Sequence, residues 1–173
     1  MTTSIPSGHI AIQDTSVMLD LSRAGLVQHA FRLPVTYCTA EQVFQDLSGV
    51  QQAEFSPYIE TTQLRTVAMD GAMFATIAEF SAMHRELSEN DLSVYHLATT
   101  NNWPLIASCN KLRSCTRSLG LTAHSTYWVL DLLVENSLVT IKQAGTLLQQ
   151  MATANPRLAP EDYEKRKKIW QQN

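Results

Sequence analysis

Three aspartates, Asp14, Asp46 and Asp91, are set apart from the other acids by where they fall against the apolar segments of the chain. Asp14 closes HIAIQ (9–13), a short Ile-rich stretch that reads as a buried strand. Asp46 lies near the end of the helical segment that follows VTYC (35–38), a second strand. Asp91 falls in the first turn of a helix opened by Ser88, in a capping-box layout with Asp where Glu or Gln is usual. There the helix dipole favours a charged carboxylate. Taken singly, each is an ordinary cap or solvated turn. Taken together, three carboxylates from distant segments would repel one another unless a divalent cation lay between them. Oxygen-only ligands suit Mg²⁺ or Mn²⁺, ions that keep several waters and also bind substrate phosphates.

The segments that must position these acids alternate in type. After the first strand, Val17, Leu19, Leu21, Leu26 and Val27 give a mixed helical pattern that ends near Pro34. Thr39 is placed to cap a helix running through Leu47, with Val43, Phe44 and Leu47 on one face and Gly49 at its end. Residues 50–63 are polar, contain Pro57 and read as irregular. LRTVAM (64–69) reads as extended. From Asp70 to Arg85 a helix is expected, with Met73, Phe74, Ile77, Ala78 and Phe80 on its apolar side. Val94, Leu97 and Ala98 form the inner face of the helix after Ser88, and Trp103-Pro104 breaks it. PLIAS (104–108) is the next strand. Lys111 to Leu119 is a short basic helix closed by Gly120, and Leu121–His124 a last edge strand. Tyr127–Val134 and Ile141–Met151 are further helices.

Strands joined by helical segments too long for hairpin turns imply a parallel sheet with helices on both faces. In such a sheet ligands collect beyond the carboxyl ends of the strands, where Asp14 stands. With 173 residues, 45% of them apolar, the chain holds one core. The expected organisation is a domain over 1–155 and a charged C-terminal tail, 156–173, that docks as a helix or reaches a partner. A net charge of −3 gives no global attraction to nucleic acid, so polyanion binding would be local. Cys38, Cys109 and Cys115 are too few and too irregularly spaced for a disulfide framework or a Cys-rich zinc site. The five histidines, at 9, 29, 84, 96 and 124, show no ligand spacing. Met1–Gly8 has no apolar run of signal-peptide type, and no stretch is long enough to cross a bilayer. A cytoplasmic protein with no membrane association is the expectation.

Four stretches in order, IAIQDTSVMLDL, VTYCTAEQVFQDL, ELSENDLSVYHLA and WPLIASCNKLRSCTRSLGL followed by HSTYWVLDLLVENSLVT, resemble the PIN domain, the ribonuclease fold that includes the VapC-type toxins. The resemblance covers about residues 9–158. It implies a three-layer α/β/α fold with a central, mainly parallel sheet. It also implies metal-dependent hydrolysis of RNA phosphodiesters, in which the metal lowers the pKa of a bound water and stabilises charge on the phosphoryl group. Asp14, Asp46 and Asp91 match the first three family acids, with Asp46 standing where Glu is usual. Glu41, five residues earlier, is the fallback for the second acid. The fourth family acid is missing. With Leu112-Arg113 as anchor, the family threonine falls on Ala107 and the aspartate on Cys109, with Asn110 next along. Asn110 is the uncharged replacement ligand that remains.

Lys111, Arg113 and Arg117, next to the expected site, are candidate contacts to RNA phosphates or a solvated helical face. Partners implied by the resemblance are RNA, a small antitoxin-like protein and a second copy of the chain. Two further readings are kept beside the ribonuclease. One is a degenerate PIN-like module that binds RNA or a partner protein without cutting. The other is a phospho-accepting receiver, which wants paired acids after its first strand and a lysine after its last. Gln13-Asp14 and the absence of a fitting lysine stand against the receiver.

Overall fold

A computed structural model describes residues 8–12, 14–156, 158 and 160–171. The elements follow in the order β1 (His9–Ile12), α1 (Asp14–Arg23), α2 (Val27–Ala30), β2 (Thr36–Ala40), α3 (Glu41–Gln45), α4 (Gly49–Glu60), β3 (Leu64–Val67), α5 (Gly71–Met83), α6 (Glu89–Asn101), β4 (Leu105–Ile106), α7 (Asn110–Ser118), β5 (Ala123–His124), α8 (Trp128–Glu135), α9 (Ile141–Ala154) and α10 (Pro160–Gln171). Among the described residues the strands form one five-stranded sheet in the order β3-β2-β1-β4-β5, and every pairing is parallel.

This order has a functional consequence. The chain adds β2 and then β3 on one side of β1, then returns to lay β4 on the other. The reversal leaves a crevice beyond the carboxyl ends of β1 and β4, the position where open α/β sheets bind ligands. Ile12 pairs with Ile106. Asp14 and Ser108, each two residues further along, therefore leave the sheet at the same level. The core is mostly apolar, with Ile10, Val17, Met18, Leu21, Tyr37, Leu92, Val94, Leu105, Ile106 and Leu130 at 0–1% exposure. α6 lies directly on β1 and β2, which is why Leu92 to Ala98 are all buried.

Several local expectations need correction. Thr39 does not cap a helix. It is fully buried inside β2, and Ala40 is the N-cap of α3. Gly49 starts a helix instead of ending one. Ser48 accepts the Gln51 N–H, and the Gln51 side chain takes the Ser48 N–H, forming a capping box that nucleates α4 across the stretch read as irregular. Pro57 sits inside that helix. It has no N–H to bond the carbonyl four residues back, but the packing of the α4 aromatics offsets the loss. Phe55 is buried, and Tyr58 stacks on Phe31 with centroids 3.9 Å apart. α5 has the expected helical span, yet of its expected apolar face only Ile77 is buried. Phe74 is 52% and Met83 65% exposed.

The C-terminal segment is a helix packed on α9. Trp170 is buried against the core, and Arg166 grips Asp131 of α8 through Nε and Nη2, with the shortest contact 2.6 Å. The Tyr163 hydroxyl donates to Gln149 of α9 at 2.6 Å. Trp170→Ala removes the one fully apolar anchor among these contacts. It is expected to cost about 3 kcal/mol and to expose the α9–α10 connection. Chemical denaturation and limited proteolysis measure the two effects, and unchanged stability with unchanged cleavage would show that α10 is held by its polar contacts alone.

Candidate metal and nucleic-acid site

The local sequence explains how Asp91 is held. Ser88 is the N-cap of α6. Its Oγ accepts the Asp91 N–H at 3.1 Å, and the Asp91 carboxylate accepts the Ser88 N–H at 3.0 Å. Asp91 is therefore buried at the positive end of a helix dipole, fixed by its own backbone exchange. Asp46 is the C-cap of α3 and is exposed. That short helix is pinned by buried Val43 and Leu47, and its last carbonyls are taken by the Gln52 amide, at 3.2 Å to Gln45 and 2.9 Å to Leu47. The Asp46 carboxylate accepts a hydrogen bond from the Asn90 amide at 2.6 Å. Asn90 immediately precedes Asp91, so the second candidate acid is tied to the first turn of the helix that carries the third. Glu41, the fallback, is exposed and takes a hydrogen bond from Gln45, four residues on in its own helix. Asp14 opens α1 at the end of the central strand. Its side chain lies outside the described residues.

The segment after β4 is organised by cations and hydroxyls. Arg113, on the second turn of α7, is 6% exposed. Its guanidinium donates to the Ala107 and Ser108 carbonyls and to Asn110 Oδ1. Asn110 is itself exposed, but its amide oxygen faces a cation. Arg113 thus differs from the solvated phosphate contact expected of it: it holds the loop. Arg117 is exposed and also bonded, through Nε and Nη2, to the Ala123 carbonyl. Lys111 is exposed. Beside them lies a polar cleft of about 380 Å³, lined by Asn110, Arg113, Arg117, His124, Lys165 and Arg166, with Glu161 and Asp162 on the α10 side. Of its four cations Arg166 is paired with Asp131 and Asp162, so Arg113, Arg117 and Lys165 make the cleft locally cationic in a chain of net charge −3, offset in part by Glu161.

Asp20, one turn and a half into α1, is a buried carboxylate that the spacing of the candidate acids does not single out. It is 1% exposed. It accepts hydrogen bonds from Ser108 at 3.0 Å, Thr126 at 3.3 Å and Asn155 at 2.9 Å. Burial pushes its carboxyl up, and these three donors and Arg23 pull it back. A signal was present: Asp20 shares a helix face with Val17, Leu21 and Ala24, all buried, and an acid on an apolar stripe needs partners.

The donor set fits a hard divalent ion at two of the places described. Asp46 offers an exposed carboxylate, and Asp91 a carboxylate oriented by its cap, at the crevice side of the sheet where Asp14 begins α1. Asn110 does not fit as a ligand, because its only oxygen is turned to the Arg113 guanidinium. A family model described as a PIN domain matches residues 10–172 of this chain. No curated protein matches it. No described helix is long and apolar enough to cross a membrane.

His124, at the edge of the cleft, stacks on Trp128 with ring centroids 3.8 Å apart and planes 4° from parallel. Burial, then Arg117 and Arg166, push it down to about 4. The folded state therefore holds His124 neutral where the unfolded chain would protonate it near 6.5. The stability it contributes is complete above about pH 6.5 and is lost as the pH falls towards about 4. Between pH 7.5 and pH 4.5, His124→Gln should lose less stability than the wild type, by about 2 kcal/mol after allowance for partial solvent screening. An NMR titration midpoint near 6.5 for His124 would overturn the assignment.

Proposed function

This chain belongs to the PIN-domain family, and we propose that it is a metal-dependent endoribonuclease of the VapC-like kind, with Asp14, Asp46 and Asp91 as its carboxylate centre. The observation that carries the proposal is the 2.6 Å hydrogen bond from Asn90 to Asp46. It joins the Asp46 turn to the N-terminus of α6, beside the crevice that the strand order opens at the end of β1. Asp46 is favoured over Glu41 because Glu41 is bonded within its own helix. Mg²⁺ or Mn²⁺ held by these acids would supply an activated water and charge stabilisation at the phosphoryl group. The protein's own contribution is positional. The Ser88 cap orients the Asp91 carboxylate, and Asn90 holds Asp46. Exposed Lys111 and Arg117, with the cationic cleft along α7 and α10, supply phosphate contacts that guide a single strand towards the acids. The exposed apolar side of α5 supports a protein partner, an antitoxin-like chain or a second copy.

One observation favours the second reading, a degenerate module that binds RNA or a partner protein without cutting it. Where the family places its fourth carboxylate, this chain has Cys109 and Asn110, and Arg113 brings a positive charge to the Asn110 amide. A cation beside the site weakens the hold on a metal ion.

Two experiments separate the readings. In the first, wild type and Asp14→Asn are incubated with a mixed single-stranded RNA pool, with and without Mg²⁺ or Mn²⁺. Cleavage should require the metal and fall at least about 100-fold in the variant, the size of effect expected from removing one electrostatic partner of the transition state. Equal cleavage by both proteins would sink the three-acid centre. In the second, Cys109→Asp and Asn110→Asp are compared for Mn²⁺ affinity by calorimetry. Cys109→Asp should bind more tightly than wild type. Asn110→Asp should gain less, since Arg113 is positioned to neutralise the new carboxylate. An inactive wild type that gains activity in Cys109→Asp would identify the natural protein as the non-cutting module.

A further inference from the structure

A second group of ligand-type side chains lies outside the carboxylate centre. His84 is the C-cap of α5, Glu86 follows in the loop to α6, and Cys115 projects from α7. Their ligand atoms all lie within 4.8 Å of one another. His84 Nδ1 is 3.8 Å from Cys115 Sγ and 3.8 Å from Glu86 Oε1. In a tetrahedral zinc site, bonds of about 2.0–2.3 Å to N, O and S put neighbouring ligand atoms about 3.4–3.6 Å apart. Contraction by a few tenths of an ångström would bring both His84 separations to that value. The side chains of His84 and Glu86 are 27% and 39% exposed, so an ion can reach them from solvent. The His84 ring is oriented by an edge contact with Tyr95 at 5.9 Å between centroids.

We propose that His84, Glu86 and Cys115 form a binding site for a borderline-soft divalent ion of the zinc class, separate from the carboxylate centre, that clamps the α5–α6 loop onto α7. The donor chemistry selects the ion. A thiolate with an imidazole and a single carboxylate is a poor cage for Mg²⁺, which wants oxygen in octahedral array, and a good one for a tetrahedral ion with a fourth position left to water. On binding, the Cys115 S–H proton leaves to solvent, a metal–sulfur bond forms, and His84 coordinates as neutral imidazole through Nδ1. The two elements joined are those that flank the carboxylate centre. The loop leads to Ser88, the cap that orients Asp91, and α7 begins at Asn110. The clamp therefore couples a soft metal to the stiffness of that centre. The histidine and cysteine spacings gave no hint of this grouping, because the three residues come from two segments about thirty positions apart.

The test uses the full chain, freed of metal under reducing conditions, with Co²⁺ as probe. One equivalent should produce a thiolate-to-cobalt charge-transfer band that Zn²⁺ displaces and excess Mg²⁺ does not. Cys115→Ser should abolish the band, and circular dichroism confirms that the variant is folded. His84→Gln should weaken Co²⁺ binding by at least about tenfold, since even outer-shell partners are worth that much. Cys109→Ser and Asp46→Asn should keep the band. A wild-type protein without the band, a band that survives Cys115→Ser, or one lost in Cys109→Ser would overturn the assignment. The readout is the sulfur chromophore, so it stands or falls independently of whether the protein cleaves RNA.

Discussion

A carboxylate with almost no exposure to water sets the terms for the rest of the molecule. Asp20 could be buried only if other groups replaced its hydration, and the three that do so come from far apart in the chain. Ser108 follows β4, Thr126 follows β5, and Asn155 ends α9. A buried acid without such partners would cost several kcal/mol, so this constraint fixes the ends of two strands and one helix against α1. The same α1 begins at Asp14. The position of the first candidate acid and the course of the loop carrying Cys109 and Asn110 are therefore set from a single buried point. Ser108 also shares a hydrogen bond with Thr126 at 3.0 Å, so the β4 and β5 exits are tied directly to each other.

The candidate carboxylate centre depends on short local devices built on that frame. β2 runs two residues past the segment first read as strand, and α3 follows at once, so Asp46 comes at the end of a helix of hardly more than one turn. Such a helix has little stability of its own. It is held by Val43 and Leu47 in the core and by Gln52 closing its end. Asp91 is held differently, by a reciprocal cap that works in the first turn of any helix. Joining the two through Asn90 lets an exposed, weakly held acid borrow the rigidity of a buried one. Arg113 plays the corresponding part on the other side, where three of its donors are engaged on Ala107, Ser108 and Asn110. The loop carrying Cys109 and Asn110 is thus fixed by a buried guanidinium.

The parts of this arrangement legible in the sequence are those governed by local rules. The Ile-rich first strand, the LRTV strand, the Ser88 cap with Asp91, and Gly120 beyond α7, at a φ of 78°, all follow from nearest neighbours along the chain. The fold class followed from the order of those pieces. What escaped was tertiary. α4 was hidden because Pro57 is a breaker by propensity, and only the burial of Phe55 and the stacking of Tyr58 on Phe31 make the helix worthwhile. The apolar period of α5 was read correctly as a helix, but period alone says nothing about whether the face finds a partner within the chain. Asp20 left a trace in the sequence as an acid on an apolar stripe, but its partners, like the His84–Glu86–Cys115 group, come together only when separate elements pack. The spacing of Arg113 fits a phosphate contact or a solvated helical face equally, and nothing local shows that the Ala107 and Ser108 carbonyls wait for it.

The two candidate metal centres bear on each other through selectivity. Zinc-class ions bind most mixed N/O/S sites far more tightly than Mg²⁺ does, so a carboxylate centre meant for Mg²⁺ is protected by oxygen-only ligands, by geometry and by ion availability. In this chain the only nitrogen and sulfur donors grouped among the described residues lie apart from the candidate acids, at His84 and Cys115. Placing a cysteine in the fourth acid position, as Cys109 does, would appear to threaten that separation. The fold limits the threat. Cys109 is the N-cap of α7 and is packed partly against the core, while Asn110, the next residue, is already engaged by a guanidinium. A soft ion approaching the crevice would meet one half-buried thiol beside a positive charge, whereas six residues further along the same helix it meets a thiol already paired with an imidazole and a carboxylate. On the proposed reading, the Arg113 charge that would weaken the crevice as a metal site would also steer a competing soft ion away from it.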